Sequence, residues 1–200
     1  MNIGFDLDEV IGKTAHMAVN HLNDVFDTNY TIDVFKNFYF HENVFSDDET
    51  EQKAIVETLE WAVFDAKMMD SVQPYEDAVK VINDLKHQGH KIYIITKRHK
   101  ELTASTIKWL KRHKIKHTKL ICTDLKEKSY FASQLRLDCF VDDLEENLLD
   151  MYKAQTRWRK GLLLMTRPWN EGHYIDTSKM SRANNWIDIR KYLSLGNRLK

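Results

Sequence analysis

The sequence predicts an α/β protein: a doubly wound parallel sheet covered by helices on both faces, with an α-helical insertion after its first strand. Three observations predict it. Short apolar runs recur at Ile3–Phe5, Ile92–Ile95, Leu120–Ile121, Cys139–Val141 and Leu162–Met165. Bounded by small or polar residues, such runs read as buried strands. After Pro74 they alternate with helical patterns, which argues for parallel strands joined by crossover helices. Between the first run and Pro74 only helical patterns occur.

The elements follow in order. The first strand stops at Asp6, with Asp8 two residues on. From Lys13 to Asp27, Met17, Val19, Leu22, Val25 and Phe26 recur at helical spacing. An aromatic-rich piece then runs from Tyr30 to Phe45 and includes Phe35, Phe38, Tyr39 and Phe40. Ser46 to Glu49 reads as a helix start with acids in its first turn, continuing through Ile55, Val56, Leu59, Trp61, Ala62 and Phe64. This insertion of roughly sixty residues far exceeds the usual βα connection, and long connections at a sheet mouth are often lids. Pro74 in a first turn, Glu76 and Asp77 behind it and Gly89 near the end bracket the next helix, whose buried face is Ala78, Val81, Ile82 and Leu85. The strand at 91–96 ends on Thr96. Glu101 to His113 is helical with Ile107 and Leu110 inward. Lys128 to Leu135 is helical, the Cys139–Val141 strand runs into Asp142 and Asp143, and Glu145 to Lys153 is helical again. Asn185 to Leu195 closes the chain with Trp186, Ile187, Ile189 and Tyr192. The expected division is a core of residues 1–13 and 73–200 and a helical cap of residues 14–72.

Composition limits what such a fold does. The 200 residues carry 30 basic and 30 acidic side chains, so no global field favours nucleic acid or an acidic membrane. Two cysteines, Cys122 and Cys139, make neither a zinc motif nor a disulfide framework. The start of the chain does not read as a signal peptide, and no apolar run approaches a membrane span. A reducing, cytoplasmic compartment is expected. Residues 97–119 are strongly basic, with Glu101 the one acid. Such a run is read first as a solvated helix face and second as a patch that steers anionic substrates. The histidines, His16, His41, His99 and His173 among them, show no metal-ligand spacing and are read as surface or packing residues.

Polar groups stand where several strands end: Asp6 and Asp8, then Thr96, then Asp142 with Asp143. Lys128 opens the helix before the fourth strand. Ligands of open α/β sheets bind outside the carboxyl ends of the strands. Asp6 and Asp8 alone could equally cap the next helix, Lys128 could be a solvated lysine and Thr96 a buried strand residue. Together they are hard to explain as capping.

In this order the four motifs resemble those of the haloacid dehalogenase superfamily of phosphohydrolases. They are a strand ending Asp6-Leu7-Asp8, a strand ending Thr96, an upstream Lys128 with Lys126 as the alternative, and a strand ending Asp142-Asp143. The resemblance implies a Rossmann-like core, and the insertion matches the superfamily's C1-type cap. Within the superfamily, cap size, the segment Arg167-Pro168-Trp169-Asn170 and the final Trp186-Ile187-Asp188-Ile189 are most similar to the 5′(3′)-deoxyribonucleotidase family and its bacterial and phage relatives. One departure is visible: many members carry Gly after the second Asp, whereas this chain carries Glu9, which is expected to point outward.

The chemistry follows from the residue types. Asp6 attacks phosphorus, splitting the reaction through an aspartyl phosphate. Two anions need a cation between them, and Mg²⁺ takes a few oxygen ligands plus phosphate and water. Asp6 and one of Asp142 and Asp143 supply side-chain oxygens. The resemblance implies that Asp8 gives its backbone carbonyl, leaving its side chain to protonate the leaving alkoxide and activate water. Thr96 and Lys128 hold the phosphoryl oxygens, with Lys97 adding charge or a backbone N–H. The expected substrate is a small phosphate ester, first a nucleoside monophosphate, with a pyrimidine deoxynucleotide favoured by resemblance. The alternatives are a sugar phosphate or a silent phosphate-binding module with Glu9 as the spoiler. One or two of Phe38, Tyr39, Phe40, Phe45, Trp61 and Phe64 are expected to stack on a base, first from the 38–45 segment, with the rest filling the cap's own core; Trp61 and Phe64 share a helix face suited to packing. The oligomeric state stays open and includes a homodimer.

Overall fold

The computed structural model describes residues 1–154, 158 and 160–195. Residues 155–157, 159 and 196–200, part of the expected core range, lie outside the described residues. Six parallel strands form one sheet in the order β3-β2-β1-β4-β5-β6. They are β1 (Asn2–Phe5), β2 (Lys91–Thr96), β3 (Lys119–Cys122), β4 (Cys139–Asp142), β5 (Gly161–Met165) and β6 (Met180–Ala183). Phe5 pairs with Ile94 on one side and Val141 on the other. The chain thus turns away from β1 in both directions, and the crevice lies at β1's carboxyl end. Gly4 is required where it stands, because a Cβ there would lie 2.4 Å from the Phe140 ring.

Alternate strand residues feed two cores, as the pleat requires. Ile3, Phe5, Ile92, Ile94, Val141, Leu163 and Met165 enter one, with α4 (Ala78–His87), α5 (Thr103–Arg112) and α8 (Trp186–Leu195). Tyr93, Ile95, Phe140, Leu162 and Leu164 enter the other, with α6 (Lys128–Gln134) and α7 (Glu145–Ala154). In α5 the inward residues are Thr106, Trp109 and Leu110, while Ile107 is 51% exposed, contrary to expectation. The rotation is fixed by Trp109, whose Nε1 donates to the carbonyl of Val72 at 2.7 Å. Among the described residues no helix is long and apolar enough to cross a membrane.

The segment after β1 holds α1 (Thr14–Phe26), α2 (Glu49–Phe64) and α3 (Ala66–Ser71) and no named strand. Asp48 caps α2 by accepting from Glu51 N, and Asp65 stops it by capping α3 through Lys67 N and Met68 N. The buried stripe of α2 is Ile55, Leu59 and Ala62. Trp61 and Phe64 lie outside that stripe, each 52% exposed, which corrects their expected role as packing residues. The chain leaves and re-enters the sheet region side by side: Lys13 N donates to Gln73 O and Tyr75 N to Ile11 O, each at 2.8 Å. That pairing keeps Pro74 extended, so α4 begins at Ala78, after Asp77 at φ 62°, and not in the turn at Pro74.

Candidate active site

Strand pairing brings the sequence-distant polar residues together. Asp6 follows the last residue of β1, and its N–H donates to Val141 O at 2.9 Å, which places it beside Asp142. Lys128 sits at the start of α6 and is 2% exposed. Its ammonium lies 2.7 Å from Asp6 Oδ2 and 2.8 Å from Asp142 Oδ2. Burial pulls that ammonium's pKa down, but the charges of Asp142 and Asp6 outweigh it and hold the group above the usual lysine range. Asp6 is pushed up, first by burial and then by Asp142 and Asp8, against the pull of Lys128. Lys126, the alternative lysine, is exposed, whereas Lys128 reaches the acids.

Asp6, Asp142 and Asp143 each offer an oxygen, and these atoms lie within 4.8 Å of one another. Asp142 is heavily engaged: Lys128 on Oδ2, Leu144 N on Oδ1, and the Asn147 amide on both oxygens. Asp143 receives the Trp169 indole N–H on Oδ2 at 3.1 Å. Burial, then Asp142, Asp6 and Glu9, push its carboxyl well above the ordinary range. Three buried acids against one ammonium form a site short of positive charge. Hard oxygen donors in that arrangement suit Mg²⁺.

The Asp8 carboxylate is held by other groups. It accepts from Arg98 Nη2 at 2.6 Å and Nε at 3.0 Å, Thr14 Oγ1 at 2.6 Å and Thr96 Oγ1 at 3.2 Å. Burial would raise its pKa, but Arg98, Thr14 and Thr96 together depress it. Arg98, unnoticed within a basic run, is 8% exposed. The one available signal was its place two residues after Thr96, in the loop leaving the sheet.

Glu9 contradicts its expected outward direction. It is 5% exposed and lines the cleft, with φ at 56°. Tyr75 Oη and Ala15 N each donate to its carboxylate at 2.5 Å, and Arg167 Nε donates to its carbonyl at 2.7 Å. Burial, only partly offset by these donors and by the Arg167 charge, pushes the carboxyl up to about 7. Glu9 turns inward because Tyr75 and Ala15 meet it from the two chain crossings.

A cleft of about 410 Å³ opens above these groups. Thr96, Lys97 and Lys128 line its floor, and Phe38, Tyr39 and Phe40 line its wall with Phe35, Phe64 and Trp169. Phe38 meets Trp169 at 6.0 Å between ring centroids, joining the insertion to the loop after β5. Phe45 is not among the lining residues; it packs on Tyr30 and Phe35, which corrects its expected substrate role. Lys97 Nζ is 4.0 Å from Glu127. Outside the cleft floor, His99, Glu101 and Asp124 form a further group of potential ligands, but Lys100 already places its ammonium 3.7 Å from Asp124.

A six-stranded parallel sheet with acids, a hydroxyl and a lysine gathered at the carboxyl end of its central β1, beside a helical insertion, defines a haloacid dehalogenase-type hydrolase. Solved structures agree on the fold. A haloacid dehalogenase-like hydrolase from Streptococcus pneumoniae superposes with a TM-score of 0.63 at 13% identity, over 96% of this chain and 97% of that one. One from Deinococcus radiodurans, solved with phosphate and sodium, gives 0.65 at 12% identity, over 98% and 96%. Residues 1–199 match the family described as 5′ nucleotidase, deoxy (Pyrimidine), cytosolic type C protein, and the chain belongs to that family. A Bacillus cereus protein provisionally named a nucleotidase is 30% identical over 149 residues, 72% of this chain and 76% of its own length. A nucleotidase of Clostridium acetobutylicum is 26% identical over 154 residues, 77% of this chain and 76% of that protein. The chain is thus a phosphatase by family.

Proposed function

We propose that the protein is a Mg²⁺-dependent nucleoside monophosphate phosphatase that works through a phosphorylated Asp6. The observation that carries this is the buried group of Asp6, Asp142, Asp143 and Lys128 at the floor of an aromatic-walled cleft. In this reading Asp6, Asp143 and the backbone carbonyl of Asp8 hold the ion, and Asp142 supports it while anchoring Lys128. Asp143 is preferred as the direct ligand because Asp142's oxygens are occupied by Lys128, Asn147 and Leu144 N. Bound there, Mg²⁺ would neutralise charge between the acids and the phosphoryl group.

The remaining steps belong to the chain's own groups. Lys128 and Thr96 hold phosphoryl oxygens, with Lys97 contributing charge or a backbone N–H. Asp6 attacks phosphorus and the ester oxygen leaves. Asp8 gives the leaving oxygen a proton, then takes one from the water that cleaves the Asp6–phosphate bond. Residues 14–72 serve as the cap. Phe38, Tyr39 and Phe40 form its face toward the substrate, where ring-on-base stacking is worth about 1–3 kcal/mol per base. An apolar wall also disfavours an unpaired 2′-hydroxyl, in keeping with a deoxynucleotide.

A panel of deoxynucleotides, ribonucleotides and sugar phosphates, assayed for phosphate release with Mg²⁺ and with EDTA, tests this. Deoxynucleotides should lead and EDTA should abolish turnover. Preference for a sugar phosphate would replace the nucleotide reading.

A further inference from the structure

We propose that Arg98 is a switching ligand: its guanidinium holds the Asp8 carboxylate while the site is empty and transfers to the substrate's phosphoryl oxygens when they arrive, releasing Asp8 for its catalytic work. The inference rests on the phosphohydrolase reading and adds a residue to it. Its first support is how fully Asp8 is engaged. Arg98 reaches both carboxylate oxygens, Nη2 on Oδ1 at 2.6 Å and Nε on Oδ2 at 3.0 Å, while Thr14 and Thr96 fill further acceptor positions. A carboxylate accepting from four donor atoms on three side chains has no geometry left for giving a proton to a leaving oxygen. Some of these contacts must open during turnover.

The second support is the placement of Arg98. Its side chain is 7% exposed, lines the cleft, and is anchored through Nη1 to Thr106 Oγ1 at 3.1 Å. Its backbone N–H donates to Thr96 Oγ1 at 3.3 Å, so the loop that carries the guanidinium is tied to the hydroxyl at the end of β2. The third is charge. Lys128 is already shared by Asp6 and Asp142, whereas the phosphoryl dianion brings two negative charges. A guanidinium matches phosphate oxygens in the same forked geometry with which it grips a carboxylate. Exchange of one oxyanion for the other conserves the cation's hydrogen bonds, so occupancy of the phosphate position and release of Asp8 become one event.

Inorganic phosphate is the probe, used as an inhibitor of aryl phosphate hydrolysis with Mg²⁺ present. In Arg98→Met the inhibition constant for phosphate and KM should both rise about tenfold or more, with a smaller change in kcat, and Arg98→Lys should recover part of the loss. A crystal structure of the wild-type protein with phosphate should have the guanidinium on phosphate oxygens and Asp8 released. An unchanged phosphate inhibition constant in Arg98→Met, or a phosphate complex with Arg98 still bidentate on Asp8, overturns the inference. Should Arg98→Met not fold, the wild-type phosphate complex decides. A wild-type protein that hydrolyses no phosphate ester would overturn the phosphohydrolase reading instead, and the phosphate complex would still test the switch.

Discussion

The Lys128 ammonium lies 2.7 Å from Asp6 Oδ2, both groups buried beneath the cleft. It is the counter-charge that lets Asp6 and Asp142 sit side by side. Lys128→Met leaves three buried acids without it. Breaking a buried pair from one side costs about 3–5 kcal/mol, so urea denaturation without metal should show a loss of that order. Mg²⁺ should restore part of it by binding the folded state. Phosphate release should fall by on the order of 10²-fold. Unchanged stability and turnover would remove Lys128 from the site.

Asp8→Asn keeps the backbone carbonyl and removes the proton donor. Single-turnover phosphorylation of Asp6 should slow strongly with a nucleotide and much less with an aryl phosphate, whose leaving oxygen needs little protonation. Equal losses for the two esters would count against this role.

Glu9 adds a pH dependence of stability. Its carboxyl is raised by burial from 4.5 to about 7 in the folded protein. Below the unfolded value both states are protonated and Glu9 contributes nothing. Between about 4.5 and 7 the unfolded chain ionises first, so the folded state loses stability as pH rises, and above 7 the cost is complete. Glu9→Gln can accept from Ala15 N and donate to Tyr75 Oη. It should stabilise the metal-free protein increasingly from pH 5 to 7, by up to roughly 3 kcal/mol. Denaturation curves with the same pH dependence for both proteins would contradict the buried carboxyl.

Phe38 and Phe45 separate substrate contact from packing. Phe38→Ala should raise KM for a nucleotide about tenfold while leaving an aryl phosphate less affected. Phe45→Ala should lower the melting temperature with little change in KM, since its ring packs on Tyr30 and Phe35. A reversal of those effects would relocate the base.

Much of this was legible because strands buried on both faces carry apolar runs between their ends, as β1, β2, β4 and β5 do. The sixth strand, Met180–Ala183, was not: Ser181 and Arg182 interrupt it, and it is defined by pairing with β5. The strand-end acids, Thr96 and Lys128 stood out because polar residues there need a reason. Arg98 did not, since its burial depends on Asp8, ninety positions away in the chain. The inward turn of Glu9 likewise depends on Tyr75, and the cleft-facing side of Phe64 on His99, 5.3 Å between ring centroids. In each case the deciding partner is distant in sequence, where periodicity carries no information.

The central claim is that Asp6 is the group that takes the phosphoryl. The direct measurement is Mg²⁺-dependent phosphate release from deoxynucleoside monophosphates by the wild-type protein and by Asp6→Asn, with circular dichroism confirming that both are folded. The substitution keeps size and hydrogen bonding and removes the attacking anion. Turnover should fall on the order of 10³-fold or more. A folded Asp6→Asn protein that releases phosphate at near wild-type rate would contradict the account.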